Sequence, residues 1–309
     1  MRVLPIDVGY MELPGAAAAF LVEGPDGDVL VECGPAATFP ALEAGLRAHG
    51  RSAGSIRHLL LTHIHLDHAG AAGHLASAGA VVHAHPFGAP HLADPAKLIA
   101  SSRRVHGSAY DRFYGDLRPV PASCLAVAED GALVDACGLR FRGIHTPGHA
   151  RHHVAWMLEH GEERHAFMGD LAGILVPGSR FIAVPTPPPE FDPEAWERSL
   201  TRVIDAAPTH VWLTHGGQAA VDAASATAFL QRAVDRLRQE TAWLRTLVAR
   251  HGVSGDAVPD YRALEMPCAA RDGVDAERQA QFLDDAFFRM NLGGARRAFM
   301  PRPPSVTAG

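Results

Sequence analysis

The stretch LLLTHIHLDH, residues 59–68, is the most informative part of this chain, because it joins a strand-like apolar run directly to a cluster of metal-ligand residue types. A strand that ends at the last leucine would deliver the following side chains to a loop at the edge of a sheet. Alternate side chains of an extended backbone share a face, so His63 and His65 can bind one ion together. Asp67 and His68 come from the turn that follows and can reach a second ion. Zinc accepts imidazole nitrogen and carboxylate oxygen, and four such groups in one loop indicate more than one metal.

Three downstream segments share one form, in which an apolar strand is followed by a ligand-type residue at a turn. They are IHTPGH at 144–149, FMGD at 167–170 and VWLTHGG at 211–217, and they supply His149, Asp170 and His215. Strand ends on a rigid sheet are suitable positions for the remaining ligands of a metal pair.

The motifs HIHLDH, TPGH, GD and the final TH resemble, in order and rough spacing, the metal-site motifs of the metallo-β-lactamase superfamily. The resemblance covers about residues 1–220 and implies two zinc ions, with iron or manganese as alternatives. The implied ligands are His63, His65 and His149 for the first metal, Asp67, His68 and His215 for the second, and Asp170 as a bridge between both. Asp67 and Asp170 are the implied catalytic carboxylates.

The family implies an α/β fold, an αββα sandwich of two mixed sheets with outer helices and the metals at one edge. The sequence agrees, since 18–22 and 29–32 form a predicted hairpin around Pro25-Asp26-Gly27, and alternating helices and strands favour a layered α/β architecture. Further predicted elements are helices at 39–49 and 69–78 and strands at 80–83, 133–144 and 153–158.

A second region follows the proline-rich connector at 185–189. Amphipathic patterns predict helices at 190–206, 219–251 and 279–292, and a frayed tail at 301–309. We therefore predict a catalytic core at 1–220 and a C-terminal helical extension at 221–309.

Several polar residues near the motifs are candidates for supporting the ligands. Glu32 stands where the family usually has an aspartate that supports the metal loop, and it keeps the charge while adding one methylene. Thr62, Thr146 and Thr214 each lie shortly before a ligand-type histidine, so their hydroxyls can anchor ligands; ordinary strand propensity is the alternative explanation.

Composition limits the function classes and the partners. The net charge is −6 without a lysine or arginine run, which argues against a nucleic-acid partner. The four cysteines lack a CxxC pair, and no signal peptide or membrane span is indicated, so we expect a cytoplasmic location and no membrane partner. The expected partner is a small-molecule substrate, and a homodimer is compatible with the sequence.

The overall resemblance is to the glyoxalase II-like group, which implies a dinuclear zinc hydrolase of a thioester or other carboxylic ester, acting through a metal-bridging hydroxide. Metal lowers the pKa of bound water to about 7, so such a nucleophile is available near neutral pH. The acyl-homoserine lactonase branch carries a tyrosine three residues after the bridging aspartate, where this chain has Gly173. A thiolate leaves with less protonation than an alkoxide needs, since a thiol has a pKa of about 8.5. The alternatives are a lactonase or phosphodiesterase on the same metals, or an iron-dependent enzyme similar to persulfide dioxygenases.

Residues 84–120 predict an insertion that can overhang the metals. Arg103, His106 and Tyr110 are candidate substrate contacts within it, and a solvated helix face is the alternative interpretation. His152 and His153 closely follow the TPGH motif, and we expect them to begin a strand rather than bind metal.

Overall fold

Two mixed six-stranded sheets pack face to face in the structure of the protein, a computed structural model that describes residues 1–252 and 255–300. The first sheet contains, in spatial order, β1 Val3–Asp7, β2 Ala18–Gly24, β3 Gly27–Val31, β4 Ile56–Leu60, β5 Val81–Ala84 and β6 Leu125–Val127. The second sheet, from its opposite edge, contains β7 Leu133–Ala136, β8 Leu139–His145, β9 Val154–His160, β10 Glu163–Phe167, β13 His210–Leu213 and β14 Gly217–Ala220. A small hairpin is formed by β11 Ile174–Leu175 and β12 Ile182–Ala183.

Helices cover the outer faces of both sheets. Those of the first half are α1 Phe39–Ala48, α2 Leu66–Ala69, α3 Ala72–Ser77, α4 Ala89–Ala93, α5 Ala96–His106 and α6 Tyr110–Phe113. Those of the second half are α7 Pro193–Asp205, α8 Ala223–His251, α9 Val258–Arg271, α10 Ala276–Phe282 and α11 Asp285–Phe299. The predicted αββα sandwich with C-terminal helices is therefore confirmed.

Three apolar clusters hold the layers together. Large aromatic side chains such as Phe20, Trp156 and Phe167 fill the space between the sheets. A second cluster joins the first sheet to α1 and α3, and a third joins the second sheet to the C-terminal helices. Burying one large apolar side chain contributes about 1.5–3 kcal/mol, so each layer is held by many such increments.

Some predicted boundaries are wrong in detail, for local physical reasons. The strand predicted at 133–144 is a hairpin, because Cys137 and Gly138 turn the chain with positive φ values of 51° and 74°. The helix predicted at 279–292 is two helices, because Asp284 caps a new one by accepting from the Phe287 backbone N–H at 2.8 Å.

Two other predicted helices also differ from the structure. The range predicted as one helix at 69–78 contains the last residue of α2, which ends at Ala69, and then α3, which begins at Ala72. The helix predicted at 219–251 begins at Ala223, after the last strand of the second sheet. Its start is a capping box in which Asp222 accepts from the Ser225 backbone N–H at 2.7 Å.

The predicted tail at 301–309 lies outside the described residues. Within 1–252 and 255–300, every helix is too short or too polar to cross a bilayer.

Candidate metal centre

All seven sequence-predicted ligands come together at one edge of the sandwich. His63 and His65 follow β4, and Asp67 and His68 lie in the short helix α2. The other three follow the ends of strands in the second sheet: His149 comes after β8, Asp170 after β10 and His215 after β13.

Backbone and side-chain hydrogen bonds tie these loops to the opposite sheet. The Trp156 indole N–H donates to the Leu61 carbonyl at 2.9 Å, and the Val154 N–H donates to the Thr62 carbonyl at 2.7 Å. On the other side, the Ala18 N–H donates to the Thr214 carbonyl at 2.8 Å. The ligands are therefore held by the packing of both sheets rather than by free loops.

The first group of ligand atoms consists of three imidazole nitrogens. His65 Nδ1 lies 2.9 Å from His63 Nε2 and 3.0 Å from His149 Nε2. His63 and His149 are almost completely buried. Three neutral imidazoles that converge in this way form a donor set that suits zinc and similar divalent metals.

The second group combines one carboxylate with two imidazoles. His215 Nε2 lies 3.4 Å from Asp67 Oδ2 and 3.3 Å from His68 Nε2. Among the described residues, this set and the three-histidine set are two of the three groups whose ligand atoms all lie within 4.8 Å of one another.

Asp170 lies between the two groups, and each of its oxygens faces a different one. Its Oδ2 is 3.3 Å from His149 Nε2, whereas its Oδ1 is 3.3 Å from His68 Nε2 and 3.5 Å from His215 Nε2. The Oδ1 atom is buried and has no hydrogen-bond partner within the part of the chain that the structure describes. A buried carboxylate oxygen is costly to leave without a partner, so this atom fits a cation ligand.

The tautomers of four histidines follow from their outer partners. The Nδ1–H groups of His149 and His215 donate to the carbonyls of Pro185 at 3.0 Å and Ala16 at 2.5 Å. A carbonyl can only accept, so Nδ1 carries the proton and Nε2 keeps its lone pair for the centre.

Glu32 fixes the other two tautomers. Its Oε1 accepts from the Thr62 hydroxyl and, at 3.2 Å, from His68 Nδ1. Because the Thr62 proton is committed to Glu32, the Thr62 oxygen accepts from His63 Nδ1 at 3.0 Å. The Thr214 hydroxyl also donates to Glu32 Oε1 at 3.3 Å. Two of the three candidate threonines thus converge on Glu32.

The third threonine acts through His153. The Thr146 hydroxyl lies 2.7 Å from His153 Nδ1, and His153 Nε2 accepts from the Asp170 backbone N–H at 3.3 Å. Next to Asp170, Gly169 has a φ of 50°, and a Cβ there would lie 2.4 Å from Thr62 Oγ1. His153 immediately precedes β9, which begins at Val154 and not at His153 as predicted, and its ring holds the backbone of Asp170. Its position four residues after His149 was the only sequence signal.

Burial and charge separate the two groups. Burial lowers the pKa of His63 well below its usual value and that of His65 to about 3, so both imidazoles are neutral at pH 7. Burial alone would lower the pKa of His68, but the carboxylates of Asp170 and Asp67 raise it well above the usual value. The carboxylates beside the second group therefore favour positive charge there, which would suit a bound cation.

The candidate substrate residues lie around α5 and α6 and differ in exposure. Arg103 is exposed, pairs with Asp111 at 2.7 Å and stacks over the Tyr110 ring at 4.3 Å. Tyr110 is buried. The His106 ring lies 4.7 Å from that of Tyr114.

Two tyrosines that the sequence analysis did not select lie beside the second group. The Tyr10 ring is 6.3 Å from the His215 ring, and the Tyr10 and Tyr114 hydroxyls are 2.9 Å apart. Burial, and then the charge of Asp67, raises the pKa of Tyr114 above its usual value. The two positions are 104 residues apart, and neither lies in a metal motif, so local patterns could not have paired them.

Known proteins share this sequence pattern and architecture. The model of the metallo-beta-lactamase superfamily matches residues 13–215. The metallo-beta-lactamase fold-containing protein ST1585 of Sulfurisphaera tokodaii is 28% identical over 219 residues, which cover 69% of this chain and 77% of that protein. The lactamase-like protein adaB of Aspergillus niger is 27% identical over 257 residues, covering 82% of this chain and 67% of adaB.

Solved structures extend the likeness to the fold. The crystal structure of ST1585 superposes with a TM-score of 0.61 at 25% identity, over 77% of this chain and 85% of that one. The metallo-beta-lactamase family protein TTHA1429 of Thermus thermophilus has a TM-score of 0.63 at 23% identity, over 95% of this chain and 91% of that one. On the match across residues 13–215, this chain belongs to the metallo-beta-lactamase superfamily.

Proposed function

We propose that this protein is a dinuclear-metal hydrolase of the glyoxalase II-like type, acting on a thioester or another carboxylic ester. Zinc is the proposed metal, and iron or manganese would suit the same donors less specifically. The proposed ligands are His63, His65 and His149 for the first metal, Asp67, His68 and His215 for the second, and Asp170 for both.

The observation that carries the proposal is the placement of Asp170. One of its oxygens faces the three-histidine group at 3.3 Å and the other faces the second group at 3.3 Å and 3.5 Å. A single carboxylate between two complete donor sets is expected for a metal pair and has no evident use in a single closed structural site.

Divalent metals at such a site supply Lewis acidity and lower the pKa of water to about 7. The chain's own part is orientation. Carbonyls of Pro185 and Ala16 and the Glu32 carboxylate hold the imidazoles with their Nε2 lone pairs inward. The His153 ring holds the backbone of Asp170, so the carboxylate does not need to reorganise when a substrate arrives.

The residue at position 173 supports a thioester substrate, because it offers no proton donor for a poorer leaving group. Gly173 stands where the lactonase branch has its tyrosine, and a thiolate leaves with little protonation. A Cβ at Gly173 would lie 2.6 Å from the Ala183 carbonyl, so a larger side chain would not fit that backbone position.

A lactonase or an esterase for alkyl esters is the second candidate, and the tyrosine pair favours it. Tyr10 packs against His215, and its hydroxyl is hydrogen-bonded to that of Tyr114. A phenol beside the second group could protonate a departing alkoxide, which a thioester does not require.

One experiment tests both candidates. Metal analysis of the purified chain should show two metal ions per chain after zinc loading. Steady-state rates should then be compared for a thioester, a lactone of matched acyl chain and a phosphodiester. We expect the higher kcat/KM for the thioester. A lactone preference of tenfold or more, about 1.4 kcal/mol, would move the second candidate to first place. If the chain held one metal ion and bound no second ion on titration with zinc, the dinuclear proposal would be contradicted.

The proposed partner is a small-molecule substrate, bound by the chain alone or by a homodimer. A cytoplasmic location is part of the proposal. It is supported by the four cysteines, all of which are free thiols.

A further inference from the structure

The carbonyl of Pro185 is the outer partner of a proposed metal ligand, and it lies on a segment that the C-terminal helices hold. His149 Nδ1 donates to this carbonyl at 3.0 Å, and His149 is 2% exposed. The position of the Pro185 oxygen therefore sets both the tautomer and the ring orientation of His149.

Asn291, on α11, hydrogen-bonds to both residues that flank Pro185. Its Oδ1 accepts from the Thr186 N–H at 2.8 Å, and its Nδ2 donates to the Val184 carbonyl at 2.9 Å. Its own carbonyl accepts from the Thr186 hydroxyl at 3.1 Å. Asn291 and Thr186 are completely buried, so these bonds are shielded from water.

The backbone of α11 is pressed against the same segment. A Cβ at Gly294 would lie only 1.9 Å from the Thr186 carbonyl oxygen, so the close approach depends on glycine. The second Nδ2 proton of Asn291 goes to the Tyr261 hydroxyl at 2.9 Å, which connects the clamp to α9. The amide is thus satisfied at every donor and is fixed in one orientation.

We propose that Asn291 is a positioning residue for His149. By holding residues 184 and 186 it fixes the Pro185 carbonyl, and it thereby sets the affinity of the first ligand group for its metal ion. The inference rests on the proposed metal centre but not on the proposed substrate. It gives the C-terminal helices a role in the site, although they contribute none of the seven proposed ligands.

The test compares Asn291→Ala with the control Tyr261→Phe in the full chain. The control removes one partner of the Asn291 amide but leaves both bonds to 184 and 186 intact. Each protein is stripped with a chelator and titrated with zinc under chelator competition. His149→Ala identifies the ion of the first group, because its affinity should fall in that variant. We expect Asn291→Ala to weaken the binding of the same ion by about 10–100-fold. The other ion and the control should change by less than about threefold.

The nitrogen spectrum of the metal-free histidines supplies a second readout. The wild type and the control should show His149 as the Nδ1–H tautomer, and Asn291→Ala should show a mixture of tautomers. Equal weakening of the binding of both ions, or an unchanged tautomer with unchanged affinity, would overturn the inference.

Should Asn291→Ala not fold, Thr186→Val decides the matter, because it removes only the hydroxyl bond to Asn291. A several-fold loss at the first group is then expected, and no loss would reject the clamp. A wild type that binds no zinc would instead reject the proposed metal centre itself.

Discussion

Asp170 shows how much depends on a single residue in this site. It is 4% exposed, its two oxygens face two different donor groups, and its backbone is held by His153. Gly169, immediately before it, adopts a positive φ, and a side chain at this position would clash with Thr62. The position is therefore specified by neighbours on both sheets.

Changing Asp170→Ala should lower the occupancy of both metal positions, because each loses one oxygen ligand. Outer partners of metal ligands already cost about 10–100-fold when removed, so loss of the bridge should cost more than about 100-fold in kcat/KM. Asp67→Ala is the matched control, since that carboxylate faces only the second group. Elemental analysis and steady-state rates measure the effect. An Asp170→Ala protein that keeps two metals and most of its rate would exclude the bridging role.

The hydroxyl of Tyr10 gives a prediction on substrate type. Tyr10→Phe should reduce kcat for a lactone by about 100-fold, at the lower end of the range for general acid catalysis, and kcat for a matched thioester by less than about threefold. Tyr110→Phe is the control, because Tyr110 packs 5.8 Å from Tyr114 and its buried hydroxyl has no partner among the described residues. Equal losses on both substrates would show that Tyr10 is not a proton donor.

At the level of the helices, α8 and α9 are joined by a buried ionic network. Arg236 donates to Glu265 at 2.9 Å and to Glu240 at 3.3 Å, and the Tyr261 hydroxyl donates to Glu240. Two carboxylates share one guanidinium away from water. Burial, and then the charge of Glu265, raise the pKa of Glu240 well above its usual value.

Glu240→Gln should change how the free energy of unfolding depends on pH. A carboxyl whose folded pKa is raised binds more protons in the folded than in the unfolded chain, so the wild type loses stability as pH rises above about 4.5 towards the folded pKa. The variant lacks this loss, so its stability relative to wild type should increase from pH 4.5 to 8. Chemical denaturation across that range measures the difference.

The control is Glu197→Gln, which breaks a pair with Arg238 between α7 and α8 whose side chains are 40% and 57% exposed. An exposed pair contributes about 0–1 kcal/mol, so the effect should be small. The pKa of Glu197 is lowered by its bond to Arg238, so any trend with pH should have the opposite sign. The prediction would be contradicted if the stability of Glu240→Gln relative to wild type fell steadily as pH rises.

In the whole molecule, the core and the helical extension share one apolar cluster. It runs from Met157 and Val211 in the second sheet to Leu230 on α8, Tyr261 on α9 and Leu292 on α11. The division at residue 220 remains a prediction. The shared cluster indicates that residues 1–220 depend on the extension to cover the outer face of the second sheet.

A chain ending at residue 220 should therefore be insoluble, or should bind a hydrophobic dye and melt without cooperativity. The full chain, prepared in parallel, should melt cooperatively. Dye binding and calorimetry make the comparison. A soluble 1–220 fragment that melts cooperatively and takes up two metals would show that the core is an independent domain.

The superfamily and the layered fold followed from the sequence alone, and so did the proposed ligand set, because the motifs that indicate them are short segments of the chain. The spacing within 63–68 places ligands on one loop, and the turn at 25–27 closes one hairpin whatever the rest of the chain does. Caps such as Asp284 also have local causes, but they were hidden by an apolar periodicity that continues across the break.

The residues that surround the proposed ligands could not be predicted from the sequence. Tyr10 meets Tyr114, Glu32 meets Thr214, and Asn291 meets Thr186 across separations of 104, 182 and 105 residues. No periodicity links such distant positions, because the order of strands in two packed sheets and the docking of α11 determine which of them meet. Local motifs thus predict the groups that are proposed to bind metal, whereas long-range packing selects the groups that orient them.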